Sequence, residues 1–506
     1  MTMNNKKAEQ EFHAYVKKMD SYREALALIG WDLRTGAPKK GINQRSEVIG
    51  TLSSELFHMS TSEEMAHFIA VLSPDTLKSS LSPITNKMIE ECRKEYERNK
   101  KIPADEYKEF VILQSKSESA WMEAKEKADF SLFQPYLEKV VDYTRKFIDY
   151  WGYEDHKYNV LLDQYEPGIT VEVLDKVFAE LRISIVPLVQ ATAESKNHPK
   201  TDFLYDRFPK EKQREFSYEI LRELGYDFEA GRLDETVHPF ATGINRGDVR
   251  ITTRYDENDF RGAVFGTIHE CGHAIYEQNI STELTGTLLD SGTSYGIHES
   301  QSLFFENFIG RNLHFWEKNY ALLQEYAPDQ FKGIELVEFY RGINETKPSL
   351  IRVDADELTY TLHIMIRYEL EKSLFSGELE VKDLPEAWNK KYKEYLGVTP
   401  EHDGVGVLQD IHWSDGSFGY FPSYALGYIY AAQIKQAMLK DLPNFDSLLA
   451  KGDITPIRQW LNEKVHTFGK TKKPLEILEA VTGEGLNAQH LITYLQEKYQ
   501  TIYQLQ

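Results

Sequence analysis

The sequence predicts a mainly α protein: a large helical body with a small β element placed directly before its most chemically informative helix. Three observations predict this. Apolar residues recur at helical spacing along most of the 506-residue chain. Helix breakers concentrate at Gly231, Pro239, Gly243 and Gly247, and there residues 248–255 alternate with period two and are rich in β-branched side chains. No internal repeat, low-complexity tract or linker divides the chain, so it reads as a single unit over 1–506, with a helical part at 1–200 and the chemistry-bearing part at 201–506.

In chain order, Phe12, Tyr15, Val16, Met19, Tyr22, Leu26 and Ile29 mark an amphipathic helix expected to stop between Gly30 and Pro38. Val48, Ile49, Leu52 and Leu56 mark another, and Tyr107, Phe110, Val111 and Gln114 begin one that runs through Trp121. Ser131 is the expected N-cap of the helix carrying Leu137, Val140, Val141 and Phe147. Helices follow over 170–188 and 210–224, the second with Pro209 at its start. After the strand, the run from Phe260 to Tyr276 is apolar on nearly every side and reads as a buried helix. A Gly- and Thr-rich stretch to Gly296 leads into a second buried helix at 298–309. Helices are expected from Val337, over 355–375 and from Pro385, then an irregular segment at 397–422, then helices from Tyr424 onward. Long ordered loops of that kind often carry function.

Composition sets bounds on the rest. The chain is 41% hydrophobic and 12% aromatic, which allows a large core and argues against disorder. A net charge of -21 argues against general affinity for nucleic acid or an anionic membrane, since both require basic footprints. Met1 to Phe12 is polar, so neither a signal peptide nor an anchor is expected, and no run reaches the apolar length of a membrane span. Cys92 and Cys271 do not make a disulfide framework. A cytoplasmic location is expected.

The sharpest signal is His269-Glu270-Cys271-Gly272-His273. On a helix the two histidines stand one turn apart on one face, about 5–6 Å between Cβ atoms, so both imidazoles can reach one ion. Glu270 is one residue round, within reach of a water beside that ion. Buried together, these polar groups need partners, and a metal satisfies all three. Cys271 points away from the shared face and reads as packing. A catalytic zinc site takes a third protein ligand and keeps an open position. Glu299, near the start of the next buried helix, is the candidate, with Glu277 and Glu283 as rivals. Cobalt would fit the same donors.

Further motifs make the chain resemble the carboxypeptidase Taq family of metallocarboxypeptidases. They are His238-Pro239-Phe240, Asp248-Val249-Arg250-Ile251-Thr252, the His269–His273 motif, His298-Glu299-Ser300-Gln301, Ile351-Arg352-Val353-Asp354-Ala355-Asp356 and Gly406 through Trp413. The resemblance implies a helical body with a deep substrate groove, residues 1–200 walling it, one zinc ion per chain at its floor held by His269, His273 and Glu299, and a homodimer. Many related zinc peptidases have an aspartate four residues after the glutamate ligand, bonded to a ligand histidine; here that position is Leu303. Glu306 and Asp290 are the replacements considered.

The expected activity is release of single C-terminal residues from peptides, with Glu270 as general base for the attacking water. His412, from the family motif, and Tyr424 are candidates to stabilise the oxyanion. Tyr424 is chosen over Tyr420 because related peptidases have a tyrosine at a comparable helix start. Arg352, with Asp354 and Asp356 to orient it, is the first candidate for the substrate's α-carboxylate, and Arg250 the second. The alternatives are an oligopeptidase cutting within short peptides and, remotely, a helical scaffold with a structural metal.

Overall fold

The computed structural model describes residues 3–505, so the start of the polar N-terminal stretch, Met1 and Thr2, lies outside the described residues. The protein is mainly α, 69% helical, and one hydrophobic core runs from Ala8 to Tyr503. The first helix is longer than expected, Met3–Thr35. Gly30 is carried inside it, because nothing crowds that position and a mid-helix glycine costs only about 1 kcal/mol. The chain turns where Gly36 and Ala37 both donate to the Asp32 carbonyl, ahead of Pro38.

Ser131 is not a helix cap. It donates to Asp129, which caps a short 3₁₀ turn, Phe130–Leu132, and the helix proper is Gln134–Trp151 with proline in its first turn. The helix expected over 355–375 starts later, at Tyr360–Ser376, because Asp356 accepts from the N–H groups of Leu358 and Thr359 in a preceding turn.

The β element is a three-stranded sheet: β1 (Leu233–Glu235), β2 (Ala241–Asn245) and β3 (Asp248–Thr253), in the order β1-β3-β2. β1 runs parallel to β3, while β2 forms an antiparallel hairpin with it, irregular between Gly243 and Asn245. The expected strand ends at Thr253 and gains two partners where glycine and proline had suggested only breaks.

Next comes the motif helix, Arg261–Gln278, which packs on β3 and is crossed by the helix Tyr295–Leu303. Two glycines let other helices approach Tyr295–Leu303 too closely for a side chain between them. A Cβ on Gly272 would stand 2.5 Å from the Gln301 carbonyl oxygen, and one on Gly427 of the helix Pro422–Asp441 would stand 2.7 Å from Glu299 Cβ. These contacts hold Glu299 against the motif helix. The buried run does not stay α-helical: from Phe304 to Gly310 it is a π-helix, a rare form that often occurs at functional sites.

The irregular segment at 397–422 is ordered by buried polar groups. Glu371 accepts from Trp413 Nε1 at 2.7 Å and from the Gly419 N–H at 2.8 Å. From the N-terminal helices, Trp121 Nε1 and Lys125 Nζ donate to the carbonyls of Leu408 and Gln409. The result is a groove of about 2380 Å³ lined both by early residues such as Asp20 and Glu91 and by His269, Glu299 and His412.

Candidate metal centre

His269 and His273 project from one face of the motif helix, their rings 5.0 Å apart and nearly perpendicular. Glu299 faces them from the crossing helix, with Oε2 at 3.7 Å from His269 Nε2 and 3.5 Å from His273 Nε2. Donors about 2.0–2.1 Å from a tetrahedral centre stand roughly 3.4 Å apart, so the spacing suits one zinc-like ion. Of the rivals, Glu283 is exposed in a 3₁₀ turn and Glu277 is bonded to His298.

Each of the two histidines has its outer nitrogen engaged. His269 Nδ1 is 2.9 Å from Glu306 Oε2, and Glu306 is gripped by Arg311 at 3.1 Å. The π-helical turn carries Glu306, seven residues after Glu299, to this position, filling the role that Leu303 cannot take. Asp290 lines the groove without bonding either histidine; burial, aided by Glu277, pushes its carboxyl up to about 6. His273 Nδ1 meets another imidazole, His298 Nδ1, at 2.6 Å.

The electrostatics favour a cation. Burial opposes an imidazolium at His269, yet Glu299 and Glu306 outweigh it and hold the ring up at about 10. His273, lacking a carboxylate on its outer side, is pushed down to about 4 by burial. Burial, reinforced by Glu299, raises Glu270 to about 7. Glu270 lines the groove floor and, among the described residues, its carboxylate has no hydrogen-bond partner. Cys271 is fully buried and its thiol is pushed up by that burial, which leaves it a packing residue.

Further along the groove His412 Nε2 lies 3.3 Å from the Tyr424 hydroxyl. Burial holds His412 down to about 4, with Arg352 and Arg367 adding to the effect, so the ring is neutral near pH 7. Arg352 lies beside them, 5.0 Å from the Tyr424 ring, but the expected orienting aspartates do not hold it. Asp356 is occupied as a turn cap, and Arg352 instead donates to Asp410, Nε at 3.0 Å and Nη2 at 2.9 Å. Arg367 grips the other oxygen of Asp410 at 2.6 Å. Two guanidiniums thus share one carboxylate, so within these direct ion pairs positive charges outnumber negative by one.

Arg250 is not brought to the groove. It shares a face of β3 with Asp248, pairs with it at 2.6 Å, and lies 5.6 Å over Trp31 beside a separate shallow pocket. The residues that sequence reasoning missed are Arg367, His298 and Glu277 in these new roles, and Asp410 as Arg352's partner. Asp410 and His298 lie inside the motifs named above, whereas Arg367 lies in the helix Tyr360–Ser376, outside every motif.

A family profile described as carboxypeptidase Taq (M32) metallopeptidase matches residues 11–499. The chain is 61% identical over 497 residues to carboxypeptidase 1 of Bacillus subtilis, covering 98% of this chain and 99% of that one. It is 40% identical to thermostable carboxypeptidase 1 of Thermus thermophilus, covering 97% and 99%. The crystal structure of an M32 carboxypeptidase from Deinococcus radiodurans superposes with a TM-score of 0.95 at 36% identity, covering 98% of this chain and all of that one (100%).

Proposed function

Since the chain belongs to the carboxypeptidase Taq (M32) metallopeptidases, we propose that it is a zinc-dependent carboxypeptidase that releases single residues from the C-terminus of peptides. The observation that carries this reading is the convergence of His269, His273, Glu299 and an unpartnered Glu270 on one groove floor, beside a buried cluster with one unmatched positive charge. The donor set fits the ion: two imidazole nitrogens and a carboxylate oxygen, with both outer imidazole nitrogens engaged. Cobalt suits the same donors, and zinc is the ion we assign. When bound, it supplies Lewis acidity at the scissile carbonyl and acidifies water beside it.

The chain's own residues do the rest. Glu270, buried on the groove wall with no hydrogen-bond partner among the described residues, takes a proton from the attacking water and passes it to the departing amine. His412, neutral at that pH, and the Tyr424 hydroxyl donate to the oxygen on which charge develops, where each donor is worth several kcal/mol. Arg352 binds the substrate's α-carboxylate. Because Asp410 is already matched by Arg367, a second anion neutralises the cluster, and the guanidinium fork holds it in one orientation.

An open site with three protein ligands and no cysteine donor speaks against a purely structural metal, which is usually closed by four. We read the whole chain as one peptidase unit in which residues 1–200 wall the groove, acting as a homodimer in the cytoplasm. None of its described helices is long and apolar enough to cross a membrane.

The test is Glu270→Gln. Turnover falls by at least about a hundredfold while one metal ion per chain is retained. Near-normal turnover with metal bound removes Glu270 from the reaction.

A further inference from the structure

We infer that His298 and Glu277 form a positioning relay that holds His273 as a metal ligand, so that retention of the ion depends on a carboxylate two side chains away from it. The inference rests on the reading of His269, His273 and Glu299 as the ligand set.

The two ligand histidines are supported differently. His269 bonds directly to a carboxylate, Glu306, at 2.9 Å. His273 Nδ1 lies 2.6 Å from His298 Nδ1, and the far nitrogen of that ring, Nε2, lies 2.8 Å from Glu277 Oε1. The same oxygen accepts the Gly292 N–H at 2.9 Å. Only one arrangement of protons satisfies this chain when His273 offers its Nε2 lone pair to an ion. His273 Nδ1–H donates to His298 Nδ1, and His298 Nε2–H donates to Glu277. His298 must therefore present a lone pair to His273, and the carboxylate of Glu277 is what places its proton on the opposite nitrogen.

The site is built for this ring. Tyr276 covers it at 5.2 Å between centroids. A side chain at position 292 would meet His298 Cδ2 at 2.6 Å, so glycine there leaves the ring its room. Glu277 was a rival for direct ligation on spacing. It acts instead through an imidazole, at the end of the motif helix, one turn beyond His273. Without the relay, His273 can rotate or change tautomer and turn an N–H toward the ion.

The experiment measures metal affinity of the apo-protein by competition with a chromophoric chelator, together with the melting temperature of the apo-protein. His298→Phe, which removes the acceptor, should weaken zinc binding about 10- to 100-fold with the apo melting temperature nearly unchanged. His298→Asn, whose Oδ1 occupies nearly the place of Nδ1, should recover most of that affinity. It should also make binding indifferent to Glu277→Leu, a change that weakens binding in the wild-type background. Wild-type affinity in His298→Phe overturns the relay. So does a loss that Asn fails to rescue and that comes with a lowered apo melting temperature, since that marks a merely structural role. If the wild-type protein itself binds no zinc, the ligand reading fails first, and the two failures are thereby distinguished.

Discussion

Removing Arg352 should cost substrate recognition far more than it costs the fold, and the arrangement around Asp410 says why. Breaking a buried ion pair commonly costs about 3–5 kcal/mol because a charge is orphaned. Here Asp410 keeps the full grip of Arg367, at 2.6 Å, so Arg352→Ala leaves a matched one-to-one pair and the protein should fold. What disappears is the unmatched positive charge. A hydrogen-bonded pair between a buried guanidinium and a substrate carboxylate is worth about 2–5 kcal/mol when one partner is truncated, so kcat/KM on a free-acid peptide should fall about 30- to 5,000-fold. Amidating the peptide removes the other partner and should cost the wild-type enzyme a similar factor. The decisive quantity is the cycle: once Arg352 is alanine, amidation should change kcat/KM by less than about fivefold. Both rates are read by chromatography of the released residue. If amidation costs the same factor in both proteins, Arg352 does not hold the carboxylate, and the reasoning from the charge cluster is wrong.

Other consequences can be checked separately. Gly427→Ala should displace Glu299, because its Cβ would stand 2.7 Å from that side chain; we expect about 1–3 kcal/mol of lost stability by urea unfolding and weaker zinc retention against a chelator. Zinc retention equal to wild type would show that this contact does not set the ligand. Tyr424→Phe should lower kcat at least tenfold with little change in KM, and an unchanged kcat removes the hydroxyl from oxyanion stabilisation. His466, fully buried and bonded to Gln301 at 2.9 Å, is pushed down to about 3 by burial. Its folded-state value lies below the unfolded one of about 6.5, so its contribution to stability is complete above pH 6.5 and is lost as pH falls toward 3. Between pH 8 and pH 5 the wild type should lose about 2 kcal/mol relative to His466→Gln. A pH-independent difference between the two would contradict a neutral buried ring.

The parts of the molecule that the sequence announces are the local ones. Helical periodicity and the one-turn spacing of His269 and His273 are written within a few residues, and the helices and their shared face are where that spacing puts them. β1 and β2 were not legible, since strands of three and five residues show little alternation and owe their existence to pairing with β3. Period two correctly placed Asp248 and Arg250 on one face of the strand, but it cannot say whether that face looks into a groove or toward Trp31. The sequence neighbours of Arg352 are aspartates two and four residues away, whereas its partner Asp410 is 58 residues distant, and nothing local reports such a pairing. Glu306 was only one of two candidates because the π-helical turn that carries it to His269 leaves no mark in the pattern of apolar residues.

The central claim is tested most directly by following one defined peptide, blocked at its N-terminus and free at its C-terminus, by mass spectrometry in the presence of the zinc-loaded protein. Stepwise loss of single residues from the C-terminus, abolished by a chelator and restored by zinc, is the predicted result. Fragments cut from the interior of the peptide, or the same ladder persisting after the metal has been removed, would contradict it.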